Sequence, residues 1–319
     1  MFKKIALTAV ALSVCMTAHA EAYPSKPVTL VVPFAPGGTV DVMGRLIAER
    51  LSVHLGKQVI VENRAGAGGV VGTGYAAKAP ADGYTLLVGT QGQVMQPLLY
   101  KKLTFDSNKD LVTAATFASV PNVLAVSQNT PAATMAEFVA YAKANPGALN
   151  MGSAGIGSIN HLLGQIFQDR ANVQLTHIPY KGAAPATTDL QAGQVNALFV
   201  NLPNVLPLVN AGRVRLLGVA SDKRVSVIPD VPTFAEGGVK DVVLDSWYGI
   251  MAPAGTPRAV LEKIQDSVMA VTKEPEFVAA LARQGAVPFA SNLEESAKIM
   301  ADELKLWTPV IETANIQMD

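Results

Sequence analysis

Residues 28–47 read VTLVVPFAPGGTVDVMGRLI, and the fold turns on how that stretch is parsed. The valine-rich run over 28–34 has the pattern of a buried strand. Pro36-Gly37-Gly38 breaks it. From Thr39 onward Met43, Leu46, Ile47, Leu51 and Leu55 recur at three- and four-residue spacing, which predicts a helix with one buried face. A parallel strand that turns through glycines into a helix aims the helix N-terminus at the carboxyl edge of a sheet. There the unpaired N–H groups and partial positive charge favour an anion. The turn contains no lysine, cysteine, histidine or serine, so from Pro36 through Thr39 it offers the main-chain donors of Gly37, Gly38 and Thr39 and no charged or nucleophilic side chain beyond the Thr39 hydroxyl. A carboxylate or phosphate grip and a plain tight turn both fit this motif taken alone.

The same grammar recurs more than a hundred residues later. A strand over 149–152 runs into Ser153-Ala154-Gly155-Ile156-Gly157-Ser158, and Ile159, Leu162, Leu163, Ile166 and Phe167 then mark one face of a helix. Two such cradles facing one another across a cleft suit a ligand with two acidic ends. His161, one turn into the second helix, either lines that cleft or orients the loop.

Short apolar runs alternate with longer amphipathic ones along the rest of the chain, which predicts an α/β architecture with mostly parallel sheets. Further strands are expected over 58–62, 85–89, 123–127, 174–179, 195–200, 216–220, 247–252 and 286–289. Thr134 with Glu137 and Asn292 with Glu295 have capping-box spacing, and Thr256-Pro257 reads as a cap followed by a first-turn proline. Gly193, Gly212 and Gly285 follow helical runs as left-handed stops. Trp307 is expected to dock the C-terminal helix as a core anchor. No Pro/Ser-rich linker divides the chain, so two lobes would be joined within strands, with 123–127 and 247–252 the candidates.

Residues 1–20, MFKKIALTAVALSVCMTAHA, have the three-part layout of a secretory signal with an A-x-A cleavage site, which points to a periplasmic address. Processing would remove the only cysteine, Cys15, and so any disulfide or thiolate metal site. Losing Lys3 and Lys4 takes the charge balance from 25 against 25 to 23 against 25, a net of −2. That balance does not favour nucleic acid or anionic lipid. His54, His161 and His177 lack the i, i+4 spacing of a helical metal site, so no metal or other cofactor is expected.

Neither turn carries the lysine of a phosphate-binding P-loop. Gly72-Thr73-Gly74-Tyr75-Ala76-Ala77 matches G-x-G-x-x-A but falls inside an apparent helix, where small residues serve close packing. Gly152-Ser153-Ala154-Gly155 is preceded by methionine, so it is not a nucleophile elbow.

Six collinear blocks resemble the solute-binding proteins of tripartite tricarboxylate transporters, the Bug family. They are YPSKPVTLVVPFAPGGTVD, VIVENRAGAGGVVGTGYAAKAPADGYTLLVGT, YAKANPGALNMGSAGIGSINHL, HIPYKGAAPATTDLQAGQV, IPDVPTFAEGG and WYGIMAPAGTP. The second block, where Glu62-Asn63-Arg64 leads into the glycine run, is the most specific. The resemblance spans nearly the whole chain after the leader.

It implies a two-lobed periplasmic binding protein, with two doubly wound, mostly parallel sheets joined by crossing hinge strands. Lobe I would comprise residues 21–122 plus 246–319, and lobe II residues 123–245. The resemblance also implies a monomer that takes a small organic acid, a di- or tricarboxylate or an aromatic carboxylate, and hands it to the membrane permease subunits. Carried over to this chain, the ligand loops are Phe34, Ala35, Pro36, Gly37, Gly38, Thr39 and Asp41 in one lobe, and Ser153, Ala154, Gly155, Gly157 and Ser158 in the other. Thr90 and Gln91 border the cleft, and His161, Tyr180 and Asn201 complete the expected site.

Asp41, an anion, is a poor direct partner for a carboxylate and is expected to order its own loop. Val200 stands where relatives commonly have aspartate, which disfavours an amine-bearing ligand if that position faces the cleft. Val94 and Met95 offer apolar lining for an aromatic acid. The rival readings are an organic-acid enzyme, for which Asp41, His161, Tyr180 and Lys181 are the titratable candidates, and a ligand-binding adaptor for a sensor kinase.

Overall fold

The computed structural model describes residues 23–314 and 318; the expected leader lies outside the described residues. The elements in chain order are β1 (Val28–Val32), α1 (Thr39–Leu55), β2 (Val59–Asn63), α2 (Val70–Ala77), β3 (Thr85–Gly89), α3 (Gln91–Leu99), α4 (Ser107–Asp110), β4 (Leu111–Ser127), α5 (Met135–Ala144), β5 (Asn150–Ser153) and α6 (Ile159–Ala171). There follow β6 (Thr176–Pro179), α7 (Ala183–Gln191), β7 (Ala197–Asn201), α8 (Leu206–Asn210), β8 (Val214–Val219), β9 (Asp245–Pro253), α9 (Arg258–Val271), α10 (Pro275–Arg283), β10 (Val287–Pro288) and α11 (Leu293–Ala314).

β4 is the organising strand. Its first eleven residues, Leu111 to Pro121, pair with β9, and from Asn122 to Ser127 it pairs with β7 on one side and β8 on the other. One long strand therefore belongs to two half-sheets. The first half is ordered β2-β1-β3-β9-β4 with β10 beyond, and the second is ordered β8-β4-β7-β5-β6. The expected α/β fold is the one observed, but the sheets are mixed. Parallel ladders join only β2-β1-β3 and β7-β5-β6, whereas every ladder made by β4 or β9 is antiparallel. The physical reason is connectivity: each half is a parallel set invaded by the strand arriving from the other half, β9 in the first and β4 in the second.

This strand directionality positions the site. β1 and β3 run the same way as β4, so their carboxyl ends point toward the second half. β5, β6 and β7 run against β4, so theirs point back. The carboxyl edges of the two halves face each other, and so do the helix starts that follow them.

Alternation along the strands builds a core on each face of each half. Val28, Leu30 and Val32 pack with α1, α9 and α10 on one side of β1, while Val31 turns to the other side with Leu87, Trp247 and Met251. In the second half Leu124 and Val126 face α5 and α6, and Val123 and Ala125 face the cluster of Leu190, Val200 and Val205. Small residues permit close approach where the sequence places them. A Cβ on Gly72 would stand 2.7 Å from the Arg64 carbonyl oxygen and from Pro33 Cα, so the G-x-G-x-x-A match is a packing feature of α2.

Asn292 and Glu295 make the reciprocal cap at 2.8 and 2.9 Å. Thr134 caps the Glu137 N–H, but the Glu137 carboxylate reaches back to Ala133 instead. Thr256 is not a cap: its hydroxyl donates to the Pro253 carbonyl, and Pro257 is the capping residue of α9. Trp307 is 1% exposed and packs in the same cluster as Leu99, Leu162 and Phe167, so it pins α11 across the join between halves. Trp307→Ala is expected to lower unfolding stability by about 3–5 kcal/mol in denaturant titrations, as for a large aromatic removed from a closed core.

Candidate functional site

Four helix N-termini converge on one cavity between the two halves. Gly38, Thr39 and Val40 come from the start of α1, and Thr90, Gln91 and Gly92 from the start of α3. Ser158, Ile159 and Asn160 come from α6, and Gly182, Ala183, Ala184 and Pro185 from α7. The space they bound, counting its open mouth, is about 860 Å³. Phe34, Leu99, Tyr100, Ile156 and Tyr248 supply apolar and aromatic walls. Among the described residues that line it there is no Asp, Glu, Lys, Arg or His.

The tips differ in how their free N–H groups are satisfied. In α3, Thr90 Oγ1 accepts from the Gly92 N–H at 3.1 Å while the Gln93 side chain accepts from the Thr90 N–H at 2.7 Å. In α6, Ser158 Oγ accepts from the His161 N–H at 3.3 Å. The capping residues of α1 and α7 are Gly38 and Gly182, which bring no side-chain acceptor. In α1 the first N–H, that of Thr39, donates to Asn204 Oδ1 at 3.0 Å, from the turn that follows β7 in the other half. That bond spans the cavity.

Behind the first cradle lies a scaffold. Asp41 Oδ2 accepts from the Gly37 N–H at 3.0 Å and Oδ1 from Asn63 Nδ2 at 2.9 Å, and Arg45 forms an ion pair with the same carboxylate at 3.0 Å. Asn63 also donates to the Phe34 carbonyl at 3.1 Å, so within the Glu62-Asn63-Arg64 block it is Asn63 that braces the first loop. Burial alone would raise the Asp41 pKa, but the hydrogen bonds from Arg45, Gly37 and Asn63 and the Arg45 charge outweigh it and hold the carboxyl below its usual range.

The second cradle is braced by histidines. The rings of His161 and His177 stack with centroids 4.0 Å apart, His161 Nδ1 accepts from the Gly157 N–H at 3.1 Å, and His177 Nε2 meets Ser153 Oγ at 2.7 Å. Burial, with His177 adding to it, pulls the His161 pKa down to about 4. At neutral pH His161 is therefore an uncharged acceptor. Gly157, at φ +73°, could not be replaced cheaply, since a Cβ there would lie 2.8 Å from Leu99 Cδ1 of the opposite half.

The cavity floor is a buried amide cluster at the crossing point. Asn201 Nδ2 donates to Asn122 Oδ1 and Ser246 Oγ, both at 2.9 Å, and Tyr248 donates to Asn201 Oδ1 at 3.0 Å. Asn122 donates to Ser246 Oγ at 3.0 Å and to the Leu244 carbonyl at 2.9 Å.

Of the residues singled out from sequence, Phe34, Ala35, Gly38, Thr39, Thr90, Gln91, Ala154, Gly157, Ser158 and Asn201 lie on the cavity wall. Pro36, Gly37, Asp41, Ser153, Gly155, His161 and Tyr180 do not. Of these, Asp41, Ser153 and His161 are engaged in bracing the loops. The Tyr180 hydroxyl is turned to Asp189 at 2.7 Å, and burial together with that carboxylate pushes its pKa up to about 12.

Val200, Val94 and Met95 are also off the wall. They are core residues, respectively 1%, 0% and 0% exposed, because alternation and helix phase turn them inward. The specificity expected from those three positions therefore does not arise; the apolar lining comes from Leu99, Tyr100, Ile156 and Tyr248. Sequence reasoning missed the α7 tip, although Gly182 immediately before an Ala-Ala-Pro helix start was its signal, and it missed Asn204 and Ser246.

A model of the tripartite tricarboxylate transporter family receptor, TctC, matches residues 43–316. This chain belongs to the TctC family. It is 36% identical over 306 residues to protein BugT of Bordetella pertussis, spanning 94% of this chain and 92% of that one. An R. palustris protein solved with adipate is similar with a TM-score of 0.89 and 36% identity over 92% of this chain and 99% of that one. MatC from Rhodopseudomonas palustris with bound malate is similar with a TM-score of 0.82 and 30% identity over 91% of this chain and all of that one.

The bracing of this TctC-family cradle has a pH signature. The folded pKa of His161, about 4, lies below its ordinary 6.5, so between those values the unfolded chain binds a proton that the folded chain does not. Stability fully present above pH 6.5 is lost as the pH falls toward 4. Denaturant midpoints are expected to drop across that window by the equivalent of about 1–3 kcal/mol, and His161→Gln is expected to flatten the drop.

Proposed function

We propose that this protein is a periplasmic receptor that closes on a small carboxylate, a di- or tricarboxylate or an aromatic acid, and presents it to tripartite tricarboxylate-type permease subunits. The observation that carries the reading is the convergence of four helix N-termini on a cavity wall without charged side chains. Uncharged donors aimed at one space favour an anion, each charge-assisted hydrogen bond contributing about 1.5–3 kcal/mol and each helix terminus about 0.3–2 kcal/mol. Less the cost of immobilisation, a few of these reach roughly micromolar affinity, about −8 kcal/mol. The adipate and malate bound by its relatives are acids of the size such a site would take.

In this reading lobe I is residues 21–122 plus 246–319 and lobe II is 123–245, and the protein acts as an exported monomer. α1 and α3 belong to the first lobe, α6 and α7 to the second. A ligand that touches both pairs favours the closed form through the contacts it gains there. The Thr39–Asn204 bond is part of that closed form. Binding is favoured over turnover because Asp41, His161, Tyr180 and Lys181, the titratable candidates for catalysis, are all off the cavity wall.

Thermal-shift titration tests the reading. At a hundredfold excess over Kd, a bound acid such as adipate or malate stabilises by about 2.7 kcal/mol, and a rise of several degrees in Tm is expected, with none for an uncharged diol of the same length. No response to any acid would contradict it. Asn204→Ala, which removes the cross-cavity bond, is expected to weaken binding of the best acid by about 2- to 10-fold in calorimetry, with the fold intact by circular dichroism.

A further inference from the structure

A carboxylate that takes no part in the cavity wall lies behind its floor. Glu303, on α11, accepts from two indoles at once: Trp247 Nε1 donates to Oε1 at 3.1 Å, and Trp307 Nε1 donates to Oε2 at 2.5 Å. These are the two tryptophans of the chain, 4% and 1% exposed.

Each indole belongs to a different part of the machinery. Trp247 stands on β9 between Ser246 and Tyr248, which line the cavity and bond to Asn201. Alternation turns Trp247 to the opposite face, into the cluster of Val31, Leu87 and Met251. Trp307 packs instead in the cluster with Leu162 and Phe167 of α6, the helix that starts from the second cradle. Glu303 thus joins the strand under the cavity floor to a side chain seated against the second half.

Among the described residues, no lysine, arginine or histidine is bonded to that carboxylate. α3 and β4 pack along α11 and contain no charged or titratable residue. On β9, Asp245 accepts from Ser221 and Tyr248 donates to Asn201. On α9, Arg258 pairs with Glu262, and Lys263 and Asp266 are exposed. On α4, Lys109 pairs with Asp106, and Asp110 accepts from the Asp106 N–H. Along α11 itself Lys298 pairs with Asp302, and Glu294, Glu295, Lys305 and Glu312 are exposed. Burial therefore lifts the Glu303 pKa above its ordinary value, and the two indole bonds offset that only in part.

We propose that Glu303 is a positioning residue for the carboxylate site: its ionised form ties β9 to α11 in the closed arrangement, and loss of its charge loosens that tie and weakens capture of the acid. This rests on the carboxylate reading proposed above and adds to it a residue remote from the cavity. Two N–H donors need two acceptor oxygens. A protonated carboxyl keeps one good acceptor, and glutamine would set its NH2 group against an indole N–H. The coupling is reciprocal, so a bound acid lowers the pH at which Glu303 takes up its proton. A tenfold difference in affinity between the two forms corresponds to about one pH unit.

The test uses the two indoles as reporters. Tryptophan emission of the purified protein is followed from pH 8 to pH 4.5, without ligand and with a saturating amount of adipate, malate or citrate, whichever binds most tightly at pH 8 by calorimetry. The ligand-free protein is expected to show a titration with its midpoint above about 4.5, the ordinary value for glutamate. The acid is expected to move that midpoint down by about one pH unit, and Glu303→Gln to abolish the titration. In calorimetry Glu303→Gln is expected to bind the acid about tenfold more weakly at pH 8, with the gap narrowing to threefold or less at pH 5. Comparing the two proteins at each pH cancels the ionisation of the acid and of His161. A midpoint that the acid leaves in place, an emission with no titration that depends on Glu303, or an affinity gap absent or constant with pH overturns the positioning role and leaves the carboxylate reading standing. If the variant does not fold, the shift of the wild-type midpoint decides alone. If none of the three acids binds at pH 8, both readings fail together.

Discussion

One strand constrains everything else. Because β4 runs unbroken from Leu111 to Ser127 through both half-sheets, the parallel strands of the first half must point at the second, and those of the second must point back. In an α/β chain each such strand is followed by a helix, so opposed carboxyl edges bring opposed helix starts together. The site is thus a consequence of strand direction. No charged side chain has to be placed in it, and among the described lining residues none is.

That economy shifts the work to the surrounding loops. A backbone donor is useful only if its loop is held still, and here the charged and titratable groups do the holding. Asp41, Arg45 and Asn63 fix the first cradle, while His161, His177 and Ser153 fix the second. The buried cluster of Asn122, Asn201, Ser246 and Tyr248 sits where both chain crossings meet. Fully paired amides at that point favour one register of the two halves over a slipped alternative.

Much of this was legible in the sequence, for identifiable reasons. Strand–glycine–helix grammar marked Gly38 and Thr39 and the Ser153-to-Ser158 turn as cradles, since loop conformation and helix start are local properties. Each of the ten expected strands has a counterpart among the described residues within a few positions, except that β4 begins twelve residues before the expected 123. Its first part, LVTAATFASVP, is rich in alanine and threonine, carries a proline, and is buried on both faces, so it shows neither alternation nor a strong β-branched run. The mixed sheet could not be read, because strand direction depends on long-range order. The inward turn of Val200, the α7 tip and the reach of Asn204 across 165 residues are likewise set by tertiary placement.

The central claim is that main-chain N–H groups at helix starts, drawn from both halves, hold the acid. A crystal structure of the protein grown with a tightly bound acid tests it most directly. The account predicts carboxylate oxygens about 2.7–3.2 Å from backbone nitrogens at the starts of α1 or α3 and of α6 or α7 in the same molecule. A carboxylate paired instead with a lysine or arginine side chain, or lodged away from these helix starts, would contradict it.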